Sequence, residues 1–120
     1  MSLVSTHDVL RKRLLTRAGI DLPTFDITQL RKSEWCYEFE QYMRNRLLFG
    51  AMRYGQLGKE GKPQYDRISD MIRRLQLYME TGNQEHLVDV ANLCLCEYVE
   101  GVHPNKHFAS SDDGIHTEVK

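Results

Sequence analysis

Two segments of helical period are separated by only four residues, Thr81 to Gln84, and this spacing constrains the chain more than any other feature. In the first, Asp66 to Glu80, the apolar residues Ile68, Met71, Ile72, Leu75, Tyr78 and Met79 recur every three or four positions. In the second, Leu87, Val88, Ala91, Leu93, Leu95, Tyr98 and Val99 precede Gly101 and Pro104, which end the pattern. Gly82 suits the left-handed residue that closes a helix, and Asn83 suits the cap that opens the next. A connection this short predicts an antiparallel hairpin over 66–100.

Upstream, Ile27, Leu30, Trp35, Phe39, Tyr42, Met43, Leu47, Phe49 and Met52 form a wide apolar stripe, with Asp26 or Ser33 as a possible N-cap. The loop YGQLGKEGKP, residues 54–63, holds three glycines and a proline and must interrupt the helices. Leu3 to Arg17 repeats the helical spacing loosely up to Gly19, and Pro23 marks an extended connector. The expected helices are therefore about 5–18, 33–53, 65–81 and 84–100, with no strand signal. This is an all-α, antiparallel helical bundle in a single domain over 1–101, followed by a polar, His-rich, irregular tail over 102–120. Stripes this wide on so few helices predict a second chain to cover them, as a homodimer or higher homo-oligomer.

Sixteen Lys and Arg against seventeen Asp and Glu give a formal net charge of -1. No global basic field exists to capture nucleic acid or an anionic membrane without selectivity. No stretch is apolar enough to span a bilayer, and Arg11, Lys12 and Arg13 cut through the N-terminal segment, so a cytoplasmic location is expected. The three cysteines, Cys36, Cys94 and Cys96, include no Cys-x-x-Cys pair and read as buried reduced thiols.

Carboxylates are the natural place to seek a site. Glu34/Glu38, Asp66/Asp70, Glu85/Asp89 and Glu97/Glu100 each share roughly one helix face. In the hairpin, height is sequence distance from the turn times about 1.5 Å, which sets Asp89 near Gln76 and Arg73, and Asp70 near Glu97. On the same arithmetic Asp70 and Glu85 lie about 15 Å apart, so the four acids of the hairpin cannot hold one ion. Asp89 and Asn92, set among Leu87, Val88, Val90, Ala91 and Leu93, are polar residues on a core-type face and the leading site candidates. The plain structural alternative is an ion pair of Asp89 with Arg73 and a hydrogen-bond network tying the helices together.

The run EHLVDVANLCLCEY, Glu85 to Tyr98, following a charged helix and a Gly-Asn turn, resembles the last core helix of the MazG-like all-α nucleoside triphosphate pyrophosphohydrolases. The likeness covers roughly residues 54–98. The whole chain also resembles short phage and prophage proteins with an RYG loop, a GNxEHLVDVAN helix and an HPNKHF end. In the enzymes, Glu-Glu-x-x-Glu on one helix and Glu-x-x-Asp on the next hold magnesium against a nucleotide's phosphates. Carried over, these runs fall on Ser69, Asp70 and Arg73, and on His86 and Asp89, so only Asp70 and Asp89 are acidic. An arginine in place of a ligand carboxylate puts a cation where the ion would sit.

The resemblance thus implies a non-catalytic or weakly catalytic binding protein with no cofactor. It would grip a phosphate-bearing nucleotide through Arg73, Arg74, Asp89, Asn92, Lys59, Lys62 and Arg53, or hold a protein partner such as a host protein in phage counter-defence. The alternative is a magnesium-dependent nucleoside triphosphate pyrophosphohydrolase with Asp70 and Asp89 catalytic, and Asp70, Asp89, Glu38 and Glu97 holding the metal. The glycine loop reads as a connector, because Gly-Lys is not followed by Ser or Thr. His103, His107 and His116 with Asp112 and Asp113 have metal-ligand side chains but no ligand spacing, and read as a surface tail.

Overall fold

The structure, a computed structural model, describes residues 26–111 and 114–120. The chain is all-α, with helices α1 (Ile27–Ser33), α2 (Tyr37–Tyr54), α3 (Arg67–Thr81) and α4 (Glu85–Glu100), and no strand among the described residues. The helix expected over 5–18 lies outside them, as do Asp112 and Asp113. The chain divides into two compact units, Cys36–Lys106 and Met1–Trp35 with His107–Lys120. Among the described residues no helix is long and apolar enough to cross a membrane.

In the second of these units, α1 begins at Asp26, whose carboxylate accepts from the Thr28 and Gln29 amides. Arg31 and Lys32 in its last turn complement the helix dipole. The helix expected over 33–53 is α2, starting at Tyr37, and the short helix α1 before it was not expected. The Ser33 hydroxyl lies 3.1 Å from the Leu30 carbonyl and 3.0 Å from the Glu34 carboxylate, local bonds that compete with a continuing helix. Cys36 is extended at φ -133°, and α2 starts from it with no side-chain cap.

In the unit Cys36–Lys106, α2 runs to Gly55, and Asp66 caps α3 by accepting from the Ser69 amide and hydroxyl. The hairpin turns as the sequence predicts: Gly82 is left-handed at φ 70°, and Asn83 Oδ1 accepts from the Glu85 amide. α4 packs against both α3 and α2. At that double contact lie the buried residues of the described chain, Val88 at 5% exposure and Asn92 at 8%.

The orientation of α3 is the unexpected feature. Its half-buried face, Arg67, Asp70, Met71, Arg74, Leu77 and Tyr78, carries the ionic residues toward α4. The opposite apolar stripe lies open, with Ile68 55%, Ile72 54%, Leu75 43% and Met79 83% exposed. The expectation of buried thiols is corrected: Cys36 and Cys94 are exposed while Cys96 is half-buried, all three free. Desolvation still pushes the Cys96 thiol pKa up. Residues 102–111 and 114–120 carry no helix or strand, and Lys106 Nζ caps the end of α4 through the Gly101 carbonyl at 3.1 Å and that of Val99 at 3.4 Å.

Candidate functional site

Asp89 stands at the centre of an ionic chain crossing all three helices of its unit. Arg46 of α2 donates to it through Nε at 3.1 Å and Nη2 at 3.3 Å. Arg74 of α3 donates through Nη1 at 2.6 Å. The chain continues outward at both ends. Arg46 Nη1 reaches Glu85, one turn before Asp89, at 2.9 Å. Arg74 Nε lies 3.3 Å from Asp70, which Arg73 holds at 2.7 Å.

Three arginines thus meet three carboxylates, with the Asp89 side chain only 11% exposed. The hydrogen bond to Asp89 raises the Arg46 pKa despite partial burial. At Asp70 burial pushes the pKa upward, but the Arg73 hydrogen bond and the positive charges of Arg74 and Arg73 beside it outweigh it and hold the carboxyl below its ordinary range.

The expected partner of Asp89 was Arg73, and the structure corrects this to Arg74. Neighbouring helical residues differ little in height but by about 100° around the axis, and Arg73 points away, 60% exposed. Asn92, the other leading candidate, faces α2: its Nδ2 donates to the Met43 carbonyl at 3.0 Å. Arg74 Nε, His86 Nδ1 and Asn92 Oδ1 are buried and have no hydrogen-bond partner, the Arg74 Nε contact being an ion pair without hydrogen-bond alignment.

A second ionic cluster fixes the glycine loop at the far end of the hairpin. Glu100 accepts from Lys62 Nζ at 2.6 Å, Arg67 Nη2 at 2.5 Å and the Gly58 amide at 2.9 Å. Lys62 also donates to the Gly55 and Gln56 carbonyls, so one lysine ties the loop to itself and to α4. Gly58 and Gly61, at φ 80° and 79°, give the loop its left-handed corners. Beside it opens a cleft of about 330 Å³ lined by Lys59, Gln64, Tyr65, Glu97 and Val102 among others. Arg53 and Arg67 lie over the rings of Tyr54 and Tyr65, which meet edge to face at 5.6 Å.

The seven expected ligand residues therefore fall in two places. Arg73, Arg74, Asp89 and Asn92 gather in the middle of the hairpin, whereas Lys59, Lys62 and Arg53 belong to the loop end. Lys62, expected to face phosphate, is already held by Glu100. The acids of the alternative metal set do not converge: Glu97 pairs with Arg67 at 3.6 Å, and Glu38 is exposed in the first turn of α2. Among the described residues no group of three or more His, Cys, Asp or Glu side chains could hold a metal ion. The residues present do not fit magnesium, because the Arg74 guanidinium bridges Asp70 and Asp89.

Sequence reasoning missed Arg46 and Arg67. Their signal was readable: Arg46 follows Met43 by three on the inward stripe of α2, and Arg67, Met71, Arg74 and Tyr78 recur at helical spacing. Comparison of the chain with protein-family models, curated proteins and solved structures finds no match.

Lowered carboxylate pKa values make folding pH-dependent. Glu100 is held below its ordinary range by the Lys62 hydrogen bond first and the Gly58 amide second, and Asp70 by its two arginines. A carboxyl with a depressed folded pKa contributes full stability above its unfolded value, near 4.5 for Glu, and loses it as pH falls through the folded value. Thermal midpoints should stay level near neutrality and decline in acid below that value. In Glu100→Gln the midpoint at neutral pH should be lower and its acid decline shallower; unchanged acid sensitivity would remove Glu100 from the account.

Proposed function

We propose that this chain is a non-catalytic binding protein on a helical scaffold, self-associating and acting through a protein partner rather than by turning over a nucleotide. The observation that carries this reading is Arg74, placed 2.6 Å from Asp89 and 3.3 Å from Asp70. These are the two acidic positions that match the pattern of the MazG-like enzymes, and a guanidinium occupies the place between them that a ligand-held cation requires. Each arginine of the cluster already has a carboxylate, so a phosphate must compete with a fixed anion for it. The open apolar stripe of α3 supports protein contact. Blocking or sequestering a host protein, as in phage counter-defence, is a role such a scaffold suits.

The test is pyrophosphate release from a panel of nucleoside triphosphates with magnesium, read beside thermal melts of the same mixtures with and without EDTA. The expected result is no release and no EDTA-sensitive stabilisation. Release that Asp89→Asn abolishes would replace this reading with the magnesium-dependent pyrophosphohydrolase.

A further inference from the structure

We infer that the cleft beside the glycine loop is a binding site for a small organic acid, a single carboxylate carried on an apolar body. The inference goes beyond the proposed function, because this cleft lies at the other end of the hairpin from the Asp89 cluster and shares no residue with it.

The charge of the wall calls for an anion. Lys59, Lys62 and Arg67 stand there with Glu97 and Glu100, three cations against two carboxylates. Lys62 and Arg67 keep only 14% and 10% of their side-chain exposure, and both donate to the one carboxylate of Glu100, which the Gly58 amide also fills. Glu97 reaches Arg67 only as an ion pair at 3.6 Å. Arg67 therefore spends one of its five side-chain N–H groups on an acceptor, and the others remain for a ligand.

Lys59 carries the surplus charge. Its ammonium has no hydrogen-bond or ion-pair partner among the described residues. Its stem is nevertheless placed: a Cβ on Gly55, which sits at φ 93°, would stand 3.8 Å from Cδ of Lys59 and equally from Cδ of Lys62. The two stems thus lie together over the bare Gly55 backbone, and the second ammonium is brought to the cleft that the first already lines. One excess positive charge in a half-enclosed space is balanced by one singly charged head.

The remaining wall sets the rest of the ligand. Val99, Val102 and the Tyr65 ring leave 43%, 63% and 37% of their surface exposed, and the Arg67 guanidinium holds that ring from 5.6 Å. A bare inorganic anion would leave this apolar surface wet, whereas an aliphatic or aromatic body covers it. The volume of about 330 Å³ is at the lower end of small-molecule sites and takes roughly 15 non-hydrogen atoms. The same chemistry is offered by a free acid and by the carboxyl terminus of a peptide that ends in an apolar residue.

Amide resonances of the full chain, followed by nuclear magnetic resonance, test the site with N-acetylphenylalanine, its uncharged amide, inorganic phosphate and the peptide N-acetyl-Ala-Ala-Phe. The acid is expected to shift the Gly58, Gly61 and Val102 amides with a dissociation constant of about 1 mM or tighter, and its amide and phosphate to bind at least about fivefold more weakly. Lys59→Gln should weaken the acid by a similar factor with the melting temperature of the free protein unchanged, and Val102→Glu, which adds a carboxylate to the wall, should exclude it. Saturation by both acid and peptide supports the carboxylate chemistry as stated, and saturation by the peptide alone supports it with a chain terminus as its source. An amide that binds as tightly as the acid would overturn the carboxylate, and phosphate that binds as tightly would overturn the apolar body. Full affinity in Lys59→Gln would overturn the role of the surplus charge, and no shift with acid or peptide below about 10 mM would overturn the site.

Discussion

Asp89→Ala is expected to destabilise the protein by about 2–4 kcal/mol, because it removes the carboxylate that two guanidiniums share and leaves Arg46 with Glu85 alone and Arg74 with Asp70 alone. Breaking a fully buried pair costs about 3–5 kcal/mol, and the estimate is reduced because Arg46 and Arg74 retain 45% and 25% of their side-chain exposure. The drop in thermal midpoint should be on the order of 10 °C for a chain of this size. Asp89→Asn should recover part of the loss by keeping a hydrogen-bond acceptor. Replacing Arg46, Arg74 and Asp89 together by apolar residues of similar volume should recover more, since the desolvation cost leaves with the charges. A catalytic carboxylate behaves oppositely: its removal abolishes turnover and commonly leaves stability unchanged or improved. Equal melting of Asp89→Ala and wild type would contradict the structural role.

The largest loss is expected at Val88. It is the buried apolar side chain at the contact of α4 with its neighbours, and a carboxylate there would have no water and no designed partner. Val88→Asp should cost more than about 4 kcal/mol, enough to abolish the cooperative transition of a marginally stable domain. Val88→Ala should cost about 1–3 kcal/mol and leave the helices formed. Far-UV circular dichroism through a thermal ramp separates these outcomes. A cooperative Val88→Asp melt near the wild-type midpoint would show that the contact is less closed than described.

Local chemistry made the hairpin legible before any coordinates. Gly82 supplies the left-handed corner and Asn83 the cap, and both act within a few residues of themselves. The break before α2 was not legible, because Trp35 and Phe39 continue the apolar pattern across it while the Ser33 hydroxyl bonds end α1. The site is half legible. Asp89 and Asn92 stand out as polar residues among core neighbours, but height arithmetic along a hairpin carries no angle around the axis and so does not separate Arg73 from Arg74.

The inversion of α3 was hidden for a deeper reason. That helix has two faces with apolar residues, Met71, Leu77 and Tyr78 on one and Ile68, Ile72, Leu75 and Met79 on the other. Periodicity reveals both without saying which turns inward. The choice follows from long-range partners, Asp89 for Arg74 and Glu100 for Arg67, which lie 15 and 33 positions away.

The carboxylates of Asp70 and Asp89 are engaged by arginines, and the Arg74 guanidinium stands between them where a metal ion would have to sit. The most direct measurement is a manganese titration followed by the paramagnetic resonance of the free ion. The free-ion signal is expected to rise as in protein-free buffer, with wild type and Asp89→Asn alike. Stoichiometric loss of that signal with wild type, abolished by Asp89→Asn, would contradict it.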